Sequence, residues 1–177
     1  GRPCRDEDVN TSKVLQQMDI RRSDTVADIG AGSGYHVFEI GPAAKNGVVY
    51  AVDIQDEMLA VVDYRIDTSK IDNVGIIKGS EKSVNLAANS VDKVLMVDVY
   101  HEFSYPKEMI ASIKKALRAQ GKVYLIEYRA EDARVPIKEV HKMTEKQAVK
   151  EFKAAGFKLE KNISNLPWQH CMVFVKS

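Results

Sequence analysis

Apolar runs alternate with amphipathic stretches along most of the chain. The apolar runs at 25–30, 48–53, 73–79, 91–100 and 122–129 have the length and bounding residues of buried strands. The spacing of apolar residues over 56–66, and again after Pro106, predicts helices between them. Strands that alternate with helices predict an α/β fold, in which helices cover both faces of a mostly parallel sheet.

Local signals predict where the helices begin and end. A first helix is capped by Asn10 or Thr11, and Thr144 caps a later one that ends at Gly156. A helix from about Gly34 should be kinked or shortened by Gly41-Pro42. The last two apolar runs, 157–164 and 168–177, have no helix between them. We therefore expect them to pair antiparallel at one edge of the sheet.

Composition narrows the class of protein. The chain has 177 residues, of which 45% are hydrophobic, and a net charge of +1, so we expect one domain over 1–177 and no DNA partner. The two cysteines, Cys4 and Cys171, lack zinc-ligand spacing, and Cys171 lies in an apolar run that should be buried. The sequence shows no membrane span and no signal peptide, which favours a cytoplasmic location.

The first predicted strand ends in the glycine-rich sequence DIGAGSGY, residues 28–35. Gly30, Gly32 and Gly34 allow a tight turn that brings backbone close to a ligand. A dinucleotide fingerprint requires a third glycine where this chain has Tyr35. Asp28 would also repel a pyrophosphate, by about 1 kcal/mol at contact distance even in water. The loop favours a ligand that carries an ammonium and a sulfonium over one rich in phosphate.

Asp53 ends the second predicted strand, about twenty residues beyond the glycine loop. A carboxylate there can accept hydrogen bonds from both ribose hydroxyls of a nucleoside. The alternative is an acid at a helix start, beside Asp56 and Glu57, where the helix dipole favours negative charge. The position of the glycine loop favours the ribose role.

The sequences DIGAGSGY, AVDIQ, GSE and VDKVLMVDVYHEF together resemble the ordered motifs of class I S-adenosylmethionine-dependent methyltransferases, in particular the small ubiquinone/menaquinone-biosynthesis type. The resemblance implies a Rossmann-like three-layer α/β/α sandwich with a seven-stranded, mostly parallel sheet and one antiparallel edge strand. It also implies S-adenosyl-L-methionine as cofactor, with Gly30 and Gly32 near the methionine part and Asp28 near its amino group. By the same likeness Asp53 takes the ribose and Ile54 packs on the adenine.

Two positions depart from the family pattern. Gly79-Ser80-Glu81 stands where the family commonly has Gly-Asp, so Ser80 or Glu81 is expected to contact the adenine. Asp98, which we also place in the cofactor site, opens the sequence Asp98-Val99-Tyr100-His101 where amide and adenine methyltransferases carry an Asn/Asp-Pro-Pro-Tyr motif. Methylation of amides or adenine is therefore disfavoured.

His101 is the candidate catalytic residue, because it follows the fourth strand and its imidazole titrates near neutrality. It serves either as a general base or as a wall of the cofactor pocket. Arg129 binds an acidic substrate or pairs with Glu127 or Glu131. We expect no metal, because Asp98, Glu127 and Asp132 do not match the carboxylate and amide cluster of metal-dependent methyltransferases.

The function that follows is methyl transfer to a small, partly apolar molecule. A protein or RNA acceptor is the alternative within the enzyme class, and a non-catalytic cofactor-binding module is the alternative outside it. The sequence leaves the oligomeric state open.

Overall fold

A computed structural model describes residues 11–177, which form a central sheet with helices on both faces. The helices are α1 (Thr11–Met18), α2 (Val37–Ile40), α3 (Asp56–Ser69), α4 (Pro106–Ala116) and α5 (Glu145–Ala154), with two 3-10 turns at Tyr100–Glu102 and Glu139–His141. The strands are β1 (Thr25–Ile29), β2 (Val48–Asp53), β3 (Val74–Lys78), β4 (Val91–Val97), β5 (Leu117–Arg129), β6 (Lys142–Met143), β7 (Phe157–Asn162) and β8 (Gln169–Lys176).

The sheet order is β3-β2-β1-β4-β5-β8-β7, and the short β6 pairs with β5 outside this path. Strand β8 is antiparallel to both of its neighbours, β5 and β7. The pairs β1–β2, β1–β4, β2–β3, β4–β5 and β5–β6 are all parallel. The predicted mostly parallel α/β sandwich with an antiparallel hairpin at its edge is confirmed. The strand that runs antiparallel is the one next to the edge, and β6 is an eighth strand that the sequence pattern does not predict.

Alternating side chains of the central strands pack into two apolar cores, one on each face of the sheet. In β4, Val94 and Met96 belong to the core under α4 and α5, whereas Leu95 and Val97 belong to the core under α1, α2 and α3. Cys171 is buried in the second core, as expected from its apolar run. Burial on both faces explains why the central strands are continuous apolar runs.

The helix boundaries follow the local signals. Thr144 caps α5 by accepting a hydrogen bond from the Gln147 amide at 3.0 Å, and Pro106 stands in the first turn of α4. Helix α2 has only four residues and ends before Gly41-Pro42. Of the two alternative first caps, Asn10 lies outside the described residues. Within residues 11–177, no helix has the length and apolar composition needed to cross a bilayer.

The order of the strands determines where a ligand can bind. Strand β1 has β2 on one side and β4 on the other, and the connections from β1 run outward in both directions. A crevice therefore opens at the carboxyl ends of β1 and β4, the usual ligand position in an open α/β sheet. The loops after β1, β2, β3 and β4 all reach this crevice.

Candidate active site

Backbone hydrogen bonds from the loop after β1 hold this loop against the end of β2. The amides of Gly30 and Ala31 both donate to the Val52 carbonyl, at 2.8 and 3.0 Å. Gly30 and Gly32 have positive φ angles of +74° and +57°, which explains the choice of glycine there. A Cβ at Gly30 would lie 2.5 Å from the Val99 side chain, whereas a Cβ at Gly32 would meet no atom within 4 Å. Gly32 therefore presents bare backbone to open space.

Asp53 joins this loop to the start of α3. Its carboxylate accepts the Gly32 amide through Oδ2 and the Gln55 amide through Oδ1, each at 2.9 Å. A carboxylate has about four acceptor positions, so two protein donors leave capacity for a ligand. Asp53 thus fixes the shape of the glycine loop and also offers acceptors beside it.

A cavity of about 410 Å³ lies over the loop and the strand ends. Its lining includes these residues named from the sequence: Gly30, Gly32, Asp53, Ile54, Ser80, Glu81 and Asp98. Four carboxylates line it, from Asp53, Glu81, Asp98 and Glu102, and residues 11–177 contribute no basic side chain. Such a cavity attracts cations and repels phosphate.

The cavity fits S-adenosylmethionine on several independent grounds. Its volume is within the range of pockets for small ligands, about 300–1,000 Å³. Its four carboxylates suit an ammonium and a sulfonium. Ile54 is 50% exposed within the lining, which leaves an apolar surface for a flat aromatic base to cover. The exposed backbone of Gly32 lies between Asp53 and the open space.

Two of the residues named for the cofactor do not line the cavity. Asp28 is buried on β1, with 2% of its surface exposed. Gly34 faces the protein interior, where a Cβ would approach Phe38 and Val62 at 2.8 and 3.1 Å. Close packing against Phe38 and Val62 therefore explains why residue 34 is glycine. A contact of Asp28 or Gly34 with the cofactor stays a prediction.

Asp98 follows β4 with a left-handed backbone, φ +54°, and its amide donates to the Ile126 carbonyl at 3.0 Å. Asparagine and aspartate tolerate this conformation better than other non-glycine residues, and such residues are common at functional sites. The Tyr100–Glu102 turn follows directly, and its last residue, Glu102, lines the cavity. Asp98 and Glu102 are shared with a second cavity.

The second cavity, of about 360 Å³, is lined by Asp98, His101, Glu102, Ile137, Lys138 and His141. It brings together two turns that lie far apart in the sequence. His101 and His141 meet there, with His101 Nε2 and His141 Nδ1 3.3 Å apart. The sequence indicates His101 as the catalytic candidate and gives no reason to expect its contact with His141.

Glu127 determines the orientation of His101. This carboxylate is fully buried on β5, and its Oε1 lies 2.7 Å from His101 Nδ1. An ionised carboxylate only accepts hydrogen bonds, so Nδ1 carries a proton and Nε2 is directed into the second cavity. Burial lowers the pKa of His101, but the hydrogen bond and charge of Glu127, with Glu102 and Asp98, outweigh it and raise that pKa above its ordinary value.

Arg129 lines neither of these two cavities and does not pair with the acids suggested from the sequence. Its guanidinium donates to the carbonyls of Pro167 and Leu166, at 3.0 and 2.7 Å. It therefore holds the turn between β7 and β8. Glu131 instead contacts His170, with Oε1 2.9 Å from Nε2, so the proposed pairing with Arg129 is wrong.

Comparisons with known proteins agree with this fold. Residues 20–171 match the sequence profile of a family described as "Methyltransferase domain". An uncharacterized methyltransferase of Bacillus subtilis (strain 168), YdaC, is 29% identical over 144 residues, which are 81% of this chain and 77% of that protein. The crystal structure of a SAM-dependent methyltransferase from Aquifex aeolicus superposes with a TM-score of 0.89 at 22% identity, and covers 98% of this chain and 93% of its own.

A second similar structure is that of a Haloferax volcanii putative methyltransferase in complex with the Trm112 methyltransferase activator. It has a TM-score of 0.78 at 18% identity, over 97% of this chain and 91% of its own. The glycine loop, the acidic cavity and the strand order together define an S-adenosylmethionine-dependent methyltransferase, with S-adenosylmethionine as its cofactor. The chain belongs to the methyltransferase domain family.

Proposed function

We propose that this methyltransferase acts on a small-molecule acceptor that binds in the second cavity. The observation that carries the proposal is the junction of the two cavities, which share Asp98 and Glu102. A methyl donor in the first cavity and an acceptor in the second would approach each other across this wall. The volume of about 360 Å³ suits a small molecule rather than a folded partner.

The cofactor supplies a methyl group on an already activated sulfonium, so the protein needs no covalent nucleophile. The residues of this chain bind and orient. Asp53 would hold the ribose, Ile54 the adenine face and Ser80 or Glu81 the adenine edge, while the carboxylates compensate the positive charges. Holding two reactants in line contributes on the order of 7–11 kcal/mol to such reactions in favourable systems.

We assign a catalytic role to His101 at the acceptor side. Its Nδ1 is engaged by Glu127, so Nε2 is the ring nitrogen that would take a proton from the acceptor, which must displace the contact of Nε2 with His141 at 3.3 Å. Glu127 is a positioning residue, because it acts only through the imidazole. The cavity wall also contains Ile137, which favours an acceptor with an apolar part.

The acceptor class is tested by incubating the protein with methyl-labelled S-adenosylmethionine and fractionated cell extract. We expect label in small metabolites. Label in protein or RNA alone would contradict the small-molecule proposal and leave the methyltransferase assignment intact. Calorimetry adds a second check, because the acidic cavity should bind S-adenosylmethionine but not NAD or FAD.

The role of His101 is tested with His101→Gln once an acceptor is known. A proton acceptor contributes about 10²–10⁴-fold, so kcat should fall by that factor while the cofactor dissociation constant changes little. Glu127→Gln should lower kcat less, because the imidazole remains. Weakened cofactor binding with unchanged kcat in His101→Gln would show that the ring is only a wall of the cofactor pocket.

A further inference from the structure

Three ligand atoms converge at the second cavity. His101 Nε2 lies 3.3 Å from His141 Nδ1 and 3.7 Å from Glu102 Oε1. All three atoms lie within 4.8 Å of one another. Two imidazoles and one carboxylate are a donor set that zinc and similar divalent metals prefer.

These separations are close to those around a bound ion. Ligands at about 2.0–2.2 Å in tetrahedral geometry are about 3.4 Å apart. The first two distances are already near this value. The Glu102 side chain is 62% exposed, so its carboxylate can rotate inward without disturbing the core. The site needs one side-chain adjustment and no change of backbone.

The surroundings of His101 match those of a metal ligand. A ligating histidine usually donates its other ring N–H to a carboxylate, which fixes the ring and makes the ligand more basic. Glu127 occupies that position, fully buried and 2.7 Å from Nδ1. The contact between Glu127 and His101 is independent of the three-atom cluster, because it involves Nδ1 of the imidazole whereas the cluster involves Nε2.

The local charge also favours a divalent cation. Asp98 and Glu102 line the second cavity, and Glu127 lies behind His101, whereas Lys138 is the basic side chain that lines it. Three carboxylates against one ammonium leave the site negative. A metal-free alternative exists, in which the two imidazoles simply share a hydrogen bond.

We propose that His101, Glu102 and His141 bind a divalent transition metal ion of the zinc class, with one coordination position left open toward the second cavity. The sequence expectation of no metal rests on the mismatch of Asp98, Glu127 and Asp132 to a carboxylate and amide cluster, whereas the cluster proposed here uses two histidines 40 positions apart. A bound ion would occupy Nε2, so that atom could not at the same time accept a proton. Metal binding is measured without an acceptor, so it can fail or succeed independently of the proposed acceptor class, whereas an ion bound at Nε2 would replace the proposed role of His101 as a base.

The experiment titrates Co²⁺ and Zn²⁺ into the chelator-treated 177-residue chain, by visible absorption for Co²⁺ and by calorimetry for Zn²⁺. We expect one ion per chain and a cobalt spectrum typical of nitrogen and oxygen ligands. Glu102→Gln and His141→Gln should each weaken binding tenfold or more. Circular dichroism should show that both variants keep the fold, because Glu102 is exposed and His141 is only half-buried.

Two control variants make the result specific. Glu139→Gln removes a carboxylate from the same turn as His141, but that carboxylate pairs with Lys142 at 2.9 Å and should not affect the metal. Cys4→Ser removes a thiol outside the described residues and should also leave binding unchanged. The proposal is overturned if no stoichiometric ion binds, if binding depends on Cys4, or if both ligand variants bind as tightly as the parent.

Discussion

Asp53 provides the sharpest test of the cofactor site, because its two interpretations predict different results. If the residue is only an acid at the start of α3, Asp53→Ala removes a favourable contact with the helix dipole and little else. If it holds the ribose, the same substitution removes two charge-assisted hydrogen bonds from the ligand. The structure adds a third effect, because Asp53 also binds the amides of Gly32 and Gln55.

The magnitude follows from these contacts. Two hydrogen bonds at about 1.5 kcal/mol each amount to about 3 kcal/mol, or about a hundredfold in the dissociation constant of S-adenosylmethionine. Loss of the Gly32 contact also loosens the loop that must receive the ligand, so a hundredfold is the lower bound. The two lost amide contacts should reduce the free energy of unfolding by about 1–2 kcal/mol and Tm by about 2–8 °C.

Asp56→Ala is the matched control. Asp56 is the first residue of α3, and its exposed carboxylate pairs with Lys78 at 2.6 Å. It shares the helix-start position and the charge of Asp53 but does not line the cavity. Calorimetry should therefore give an unchanged affinity for Asp56→Ala. Equal affinities for both variants and the parent would refute the ribose role of Asp53.

Three further predictions test separate parts of the structure. Gly32→Val should abolish cofactor binding in calorimetry yet leave a folded protein, because its Cβ meets no protein atom within 4 Å and the positive φ, strained for a β-branched residue, costs about 1–3 kcal/mol. Retained binding would contradict the contact. Arg129→Met should lower the free energy of unfolding, measured in urea, by about 1–2 kcal/mol, because two carbonyls of the β7–β8 turn lose their hydrogen-bond donor. The cofactor affinity should not change. An unchanged urea midpoint would show that these hydrogen bonds do not stabilise the turn. Burial raises the pKa of Glu131, but the Glu145 amide and His170 outweigh it and lower that pKa. Its contribution to stability is thus present at neutral pH and lost as the pH falls through the folded-state pKa. Glu131→Gln should therefore lower Tm at pH 7, and its Tm difference from the parent should shrink as the pH is lowered through the acid range. A Tm difference that does not shrink with falling pH would contradict this assignment.

The sequence predicts the fold well because its signals are local. Buried parallel strands are continuous apolar runs, and β2 was bounded correctly at both ends. Caps such as Thr144 act within three residues, so they can be recognised without knowledge of the fold. Strand β5 begins at Leu117, five residues before the predicted start, because the exposed residues 118–120 interrupt its apolar pattern. Strand β6 has two residues, too few for any periodicity.

In the candidate site too, features set by neighbouring residues can be predicted from the sequence, whereas contacts set by packing cannot. The sequence can predict a cofactor loop because Gly30 and Gly32 are contiguous with β1, and because the end of the next strand, Asp53, must lie beside them in a parallel sheet. It could not predict that Gly34 faces Phe38 and Val62, since this depends on the packing of α2 and α3. Nor could it predict that Glu127 meets His101, because the strand register decides which β5 side chain points under the turn after β4.

The segment between β5 and β6 is where we expect acceptor choice to be encoded. Its ends are tied together, because the Ala130 amide donates to the Met143 carbonyl at 3.1 Å and β6 pairs with the end of β5. Within it Val135 is buried, whereas Ile137 and Lys138 line the second cavity. Substitutions at these two lining positions can reshape that cavity while the anchors and the sheet stay in place. The same scaffold and cofactor site could therefore serve different acceptors, which is why membership of the family fixes the methyl donor but leaves the acceptor to be found by experiment.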